Sequence, residues 1–128
     1  MALIDRTDPW RGLCEEVLVH LDLPLLTSEA VLTEVFYFAA RGRGGVDLAW
    51  GFVRSAVTVA PIGDEHLPEL QYLMSRYADR PMDFADATLV HLARRERLTT
   101  IFTIDHGDFE AYRIEGKRKF RIVPSRRP

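Results

Sequence analysis

The sequence is poor in cysteine and has no long hydrophobic run. Cys14 is the only cysteine and no CxxC pair is present, so we expect no internal disulfide and a reducing, cytoplasmic environment. No apolar run approaches the roughly 20 residues that a membrane-spanning helix needs, and residues 1–6 lack the apolar segment of a signal peptide. The GxSxG, HExxH and P-loop patterns are also absent, which removes three common kinds of active site.

The composition is that of a folded, water-soluble chain. Its 128 residues are 47% hydrophobic and 28% charged, which fits one globular domain over residues 1–128. The net charge of −2 is unevenly spread, because residues 113–128 carry seven bases and one acid. An acidic body with a basic tail suits a site that holds cations beside bases that meet phosphates. A solvated chain terminus explains the same bases equally well.

Hydrophobic periodicity predicts an alternation of helices and strands. Helices are expected over about residues 8–21, 28–38, 46–55, 64–77 and 82–97, and strands over about 24–27, 56–61, 99–104 and 119–123. Thr27 or Ser28 is expected to cap the second helix. The last strand carries alternate basic residues, which is typical of a sheet edge. This order predicts an α/β fold of three layers around a mainly parallel sheet.

Four acidic side chains fall where an α/β fold binds ligands, at the ends of strands and the starts of helices. Asp105 follows a strand, Asp83 and Asp86 occupy the first turn of the helix after residue 82, and Glu34 lies about two turns into the second helix. Carboxylate oxygens suit hard cations such as Mg²⁺. Spacing alone also allows ordinary structural roles, since aspartates favour helix starts and turns.

Three segments form a recognisable set: residues 81–90 (PMDFADATLV), residues 102–109 (FTIDHGDF), with Asp86 and Asp105 separated by 19 positions, and residues 26–34 (LTSEAVLTE). Together they resemble the PIN-domain family, and specifically its VapC-type toxins. The resemblance implies that Asp86 and Asp105 face a metal, that Glu34 completes the site and that Asp83 joins them. It further implies an Mg²⁺- or Mn²⁺-dependent endoribonuclease that leaves a 5′-phosphate and a 3′-hydroxyl. A homodimer and a cognate antitoxin are the implied partners.

Thr103 and Arg80 are further candidates near these carboxylates. The Thr103 hydroxyl either orients a carboxylate or a water molecule, or belongs to an ordinary strand threonine. Arg80 is a candidate RNA contact, with a solvated surface position as the alternative. Asp108 is expected to have a structural role at a short turn over residues 108–112.

The beginning of the chain departs from the family pattern. PIN domains open with a central strand whose aspartate binds metal, and here that strand is missing before the segment resembling residues 2–10. Asp5 is a weak substitute, because Leu3 and Ile4 are too few for a central strand. We expect the in-frame sequence upstream of Met1 to encode an apolar stretch ending in aspartate. Two alternatives to a nuclease are a non-catalytic PIN-like domain that binds RNA or protein, and an α/β phosphohydrolase acting on small phosphoesters.

Overall fold

The computed structural model describes residues 24–42, 45–103 and 106–123. In chain order its elements are β1 (Leu25–Thr27), α1 (Glu29–Ala39), α2 (Gly45–Ala56), β2 (Val57–Val59), a 3₁₀ turn (Asp64–His66), α3 (Leu67–Arg76), α4 (Phe84–Arg95), β3 (Thr100–Phe102), α5 (His106–Ala111) and β4 (Arg121–Val123). The predicted helix over residues 8–21, and with it Cys14, lies outside the described residues, as do Asp5 and Asp105.

The strands form two parallel pairs, which confirms an α/β fold with parallel strands. β1 pairs with β2, with Leu26 opposite Thr58, and β3 pairs with β4, with Ile101 opposite Ile122. Within the described ranges each pair is a separate two-stranded sheet. Each described strand is three residues long, which is shorter than the sequence predicts.

The helices begin where local chemistry predicts. Ser28 precedes α1 with an extended backbone, and its Oγ accepts a hydrogen bond from the Val31 N–H at 3.3 Å. Gly45 opens α2 close to the end of α1: a Cβ placed on it would overlap the Ala39 carbonyl oxygen. Only glycine therefore fits at the junction without a shift of the backbone.

The larger core lies among α3, α4, β3 and α5. Its members are eight buried side chains: Leu70, Leu73, Met82, Ala87, Val90, Ile101, Phe109 and Tyr112. The Phe109 ring meets the rings of Tyr112 and Phe120 edge to face, with centroids 5.1 and 5.5 Å apart. Such aromatic pairs add to the hydrophobic stabilisation of the core.

A polar contact also joins α3 to α4. The buried His91 ring brings its Nδ1 to 2.5 Å from Glu69 Oε2, and Arg94 donates to the other oxygen of Glu69 at 2.7 Å. Charged hydrogen bonds of this kind hold two helices in one relative position.

The smaller core lies between α1 and α2, where Val35, Ala39 and Ala49 are buried together. A buried hydrogen bond of 2.7 Å between Ser28 Oγ and Thr88 Oγ1 ties the start of α1 to α4. Among the helices of the described ranges, none is long and apolar enough to cross a membrane.

Candidate acidic site

The start of α4 places two carboxylates one helical turn apart. The sequence predicts both in the first turn of a helix starting near residue 82; in the structure Asp83 is the residue that caps the helix and Asp86 is in its first turn. Asp83 Oδ1 accepts a hydrogen bond from the Asp86 N–H at 2.7 Å. The cap satisfies an otherwise unpaired helix N–H group and fixes the position of the Asp83 carboxylate.

Asp86 is oriented by a tyrosine that the sequence analysis did not single out. Its Oδ2 accepts a hydrogen bond from the Tyr112 hydroxyl at 3.1 Å, and the Tyr112 side chain is fully buried. Tyr77 packs edge to face on Tyr112, with ring centroids 5.0 Å apart. The carboxylate of Asp86 is therefore held by a ring that cannot move without disturbing the core. No local pattern signals this contact, because the two residues are 26 positions apart.

Glu34 lies on α1, on the side that faces the start of α4. Partial burial, and after it the negative charge of Asp83, raises the pKa of Glu34 above its ordinary value. The structure thus brings Glu34 and Asp83 into electrostatic contact, although they are 49 positions apart in the sequence. Two neighbouring carboxylates form a region of negative potential that attracts cations.

The other two predicted site residues that the structure describes are Thr103 and Arg80. The Thr103 N–H donates to the Val123 carbonyl at 3.0 Å, directly after the β3–β4 ladder. Arg80 Nη1 lies 3.4 Å from the Gly107 carbonyl oxygen and 3.5 Å from Asp108 Oδ1. Asp108 sits in the first turn of α5 and pairs with Arg80, which is a structural role of a different kind from the turn cap that the sequence suggests.

The chemistry of these oxygens fits a hard divalent cation. Mg²⁺ and Mn²⁺ prefer carboxylate and water oxygens, and a cation beside Glu34 and Asp83 would offset the negative charge that, after burial, raises the pKa of Glu34. In the part of the chain that the structure describes, no group of three or more His, Cys, Asp or Glu side chains is arranged to hold a metal. The convergence of Glu34, Asp86 and Asp105 stays a prediction, because Asp105 lies outside that part.

The fold agrees with comparisons to known proteins. The PIN-domain family model matches residues 1–115 of the chain. The chain is also 30% identical over 128 residues to Ribonuclease VapC26 of Mycobacterium tuberculosis (strain ATCC 25618 / H37Rv), an alignment that covers 97% of this chain and 94% of that protein. The protein therefore belongs to the PIN-domain family. Within that family it is of the VapC type, which confirms the resemblance drawn from the motifs.

Proposed function

We propose that this protein is a VapC-type ribonuclease toxin, which hydrolyses RNA phosphodiester bonds with the help of a divalent metal ion. Membership of the PIN family and the similarity to Ribonuclease VapC26 support the reaction class. The observation that carries the proposal is the placement of Asp83 and Asp86 one helical turn apart at the start of α4, with Glu34 on the contacting helix α1. By the same similarity, we expect a cytoplasmic protein held inactive by a cognate antitoxin, and a homodimer.

In this proposal Asp86, Asp105, Glu34 and Asp83 hold one or two Mg²⁺ or Mn²⁺ ions. A bound metal of this kind polarises a phosphoryl oxygen and lowers the pKa of a bound water. Tyr112 keeps the Asp86 carboxylate in one orientation through its hydroxyl. Asp83 is held by its bond to the backbone of α4, so its carboxylate does not need to be ordered when substrate arrives.

Arg80 and Thr103 are proposed to contribute outside the carboxylates. Half-exposed Arg80 lies beside the start of α5 and would meet an RNA phosphate, sharing its charge with Asp108. Thr103 follows β3, two positions before Asp105, and its hydroxyl is proposed to orient a carboxylate or a water molecule.

The test is RNA cleavage by the purified chain with Mn²⁺ or Mg²⁺, compared with an excess of EDTA. We expect cleavage that requires metal and falls more than about 100-fold in Asp86→Asn, because loss of even an outer-shell partner costs 10- to 100-fold at metal sites. Asp47→Asn is the matched control, because Asp47 also lies in the first turn of a helix, α2. Tyr112→Phe removes only the hydroxyl and should lower the rate about tenfold.

Two outcomes would contradict the proposal. Equal cleavage by Asp86→Asn and Asp47→Asn would show that Asp86 is not part of the catalytic site. RNA binding without cleavage, in either metal, would favour a non-catalytic PIN-like domain, and cleavage of small phosphoesters but not of RNA would favour a phosphohydrolase.

A further inference from the structure

A cavity of about 370 Å³ lies next to the acidic site, between α1, α4 and the segment that leads into α3. This volume falls in the range of roughly 300–1,000 Å³ that is typical of small-molecule sites. Its walls are polar as well as apolar, and they include Glu29, Thr33, Ile62, Asp64, Phe84 and Thr88.

Two residues that line the cavity are chain neighbours of the candidate catalytic carboxylates, although none of Glu34, Asp83 and Asp86 lines it. Thr33 precedes Glu34 on α1, and Phe84 stands between Asp83 and Asp86 at the start of α4. A group held in the cavity would therefore lie close to a phosphate placed at the carboxylates. Within one nucleotide, the base and the phosphate are close to each other in this way.

Phe84 gives the cavity an aromatic wall that is open to solvent. Its side chain is 45% exposed, although it belongs to the first turn of a helix whose other face is buried. Exposed aromatic rings at nucleic-acid sites stack on bases, and stacking is favourable for every base because each has a π face.

The charges of the residues that line the cavity favour a neutral base over a phosphate. Glu29 and Asp64 are exposed carboxylates, and among the described residues that line the cavity none is basic. The Thr33 hydroxyl donates to the Glu29 carbonyl at 3.1 Å, so its oxygen remains able to accept a hydrogen bond. The walls thus offer mainly acceptors, which repel phosphate and select a ligand edge made of N–H donors.

We propose that this cavity binds a guanine base of the RNA, with Phe84 stacked on the ring and the carboxylates of Glu29 and Asp64 accepting from its N1–H and N2–H₂ groups. Among the four bases, guanine presents two neighbouring donor groups on one edge, so that each of the two carboxylates can accept from one of them. The inference rests on the proposed function, because it names the base that the ribonuclease site selects.

Binding is tested separately from catalysis, with guanosine and uridine as uncharged probes and EDTA present throughout. In NMR titrations of the full chain, guanosine should shift the signals of Gly63 and the Phe84 ring in a saturable manner at millimolar concentration, and uridine, which can only stack, should shift them less. Phe84→Ala and Asp64→Asn should each weaken guanosine binding by about tenfold, which is within the range for loss of a base–aromatic stack. Tyr72→Ala, which removes a ring that is 56% exposed on α3 outside this cavity, should leave binding unchanged.

Equal shifts with uridine and guanosine, or no shift with guanosine at millimolar concentration, would overturn the inference. The second readout is cleavage of a uridine-rich RNA that contains a single guanosine. We expect cuts within one nucleotide of the guanosine, and a roughly tenfold rise in KM with little change of kcat in Phe84→Ala. Cleavage at sites unrelated to the guanosine would refute the base pocket and leave the ribonuclease proposal standing. Guanosine binding without any RNA cleavage would refute the ribonuclease proposal and leave the base pocket standing.

Discussion

The two helical regions of this protein are packed to very different extents. Helices α3, α4 and α5 surround a core that holds two fully buried aromatic side chains, Phe109 and Tyr112. Between α1 and α2 the described buried cluster consists of one valine and two alanines, while Tyr37, Phe38 and Trp50 remain about half exposed. The candidate site draws one carboxylate, Glu34, from the lightly packed region and two from the heavily packed one. A heavily packed region and a lightly packed region therefore meet at the acidic site.

Removing an aromatic ring from each region should show the largest contrast. Phe109→Ala should lower the free energy of unfolding by about 3–5 kcal/mol, because it opens a cavity in a core that cannot close around it. Trp50→Ala should cost only about 0.5–1.5 kcal/mol, the worth of its ring contact with Phe36 at 4.7 Å.

Urea denaturation of both variants measures the difference. Phe109→Leu serves as a milder control that keeps an apolar side chain in place. Similar losses for Phe109→Ala and Trp50→Ala would mean that the α1–α2 region contributes more to stability than its small core suggests.

The two glycines of α2 should respond in opposite directions to alanine. Gly45→Ala should destabilise the protein by about 1–3 kcal/mol, since its Cβ would meet the Ala39 carbonyl oxygen at the α1–α2 junction. Gly51→Ala has open space around the new Cβ and should stabilise α2 by about 0.5–1 kcal/mol through helix propensity. Thermal unfolding of the pair checks this, and a stabilising Gly45→Ala would mean that the junction moves apart at little cost.

The smallest expected effect on stability concerns Glu34, which lies where the two regions meet. Because the folded-state pKa of Glu34 is raised, the ionised carboxylate opposes folding: the cost is absent below the unfolded pKa of about 4.5 and is fully present above the folded pKa. Glu34→Gln should therefore stabilise the protein at pH 7 by a few tenths of a kcal/mol, roughly the scale of exposed charge pairs, and by nothing near pH 3.

A second substitution assigns this effect to its partner. Asp83→Asn keeps a residue that caps helices well but removes the charge. In that background the gain from Glu34→Gln at pH 7 should shrink, as chemical denaturation at several pH values would show. If the stability gain of Glu34→Gln were the same in the Asp83→Asn background, burial of Glu34 alone would account for the effect.

The sequence predicts those features that depend on neighbouring residues. Hydrophobic spacing and capping chemistry locate α1, with Ser28 rather than Thr27 as its cap, and the start of α4 within two residues. Parallel pairing follows from the alternation of strands and helices. The motif at residues 81–90 identifies Asp83 and Asp86 as candidates, because its spacing along the chain is itself the signal.

Contacts between distant residues were not predictable in the same way. The bond from Tyr112 to Asp86 and the contact of Glu69 with His91 join positions 26 and 22 residues apart, and the residue types involved have many ordinary roles. The cavity beside Phe84 depends on three separate segments coming together. An exposed phenylalanine in a helix's first turn has no sequence pattern that separates it from a buried one.

The hydrogen bonds of Ser28 and Thr88 form a directional chain across the two helices. The Val31 N–H donates to Ser28 Oγ, and Thr88 Oγ1 donates to the Ala85 carbonyl at 2.6 Å, so the proton shared by the two hydroxyls belongs to Ser28. Sliding α1 along α4 by one turn, about 5.4 Å, would break the one bond between the two hydroxyls and leave the Ser28 proton without its acceptor in the interior. A movement of α1 that keeps Ser28 beside Thr88 is therefore less costly than one that slides α1 along α4.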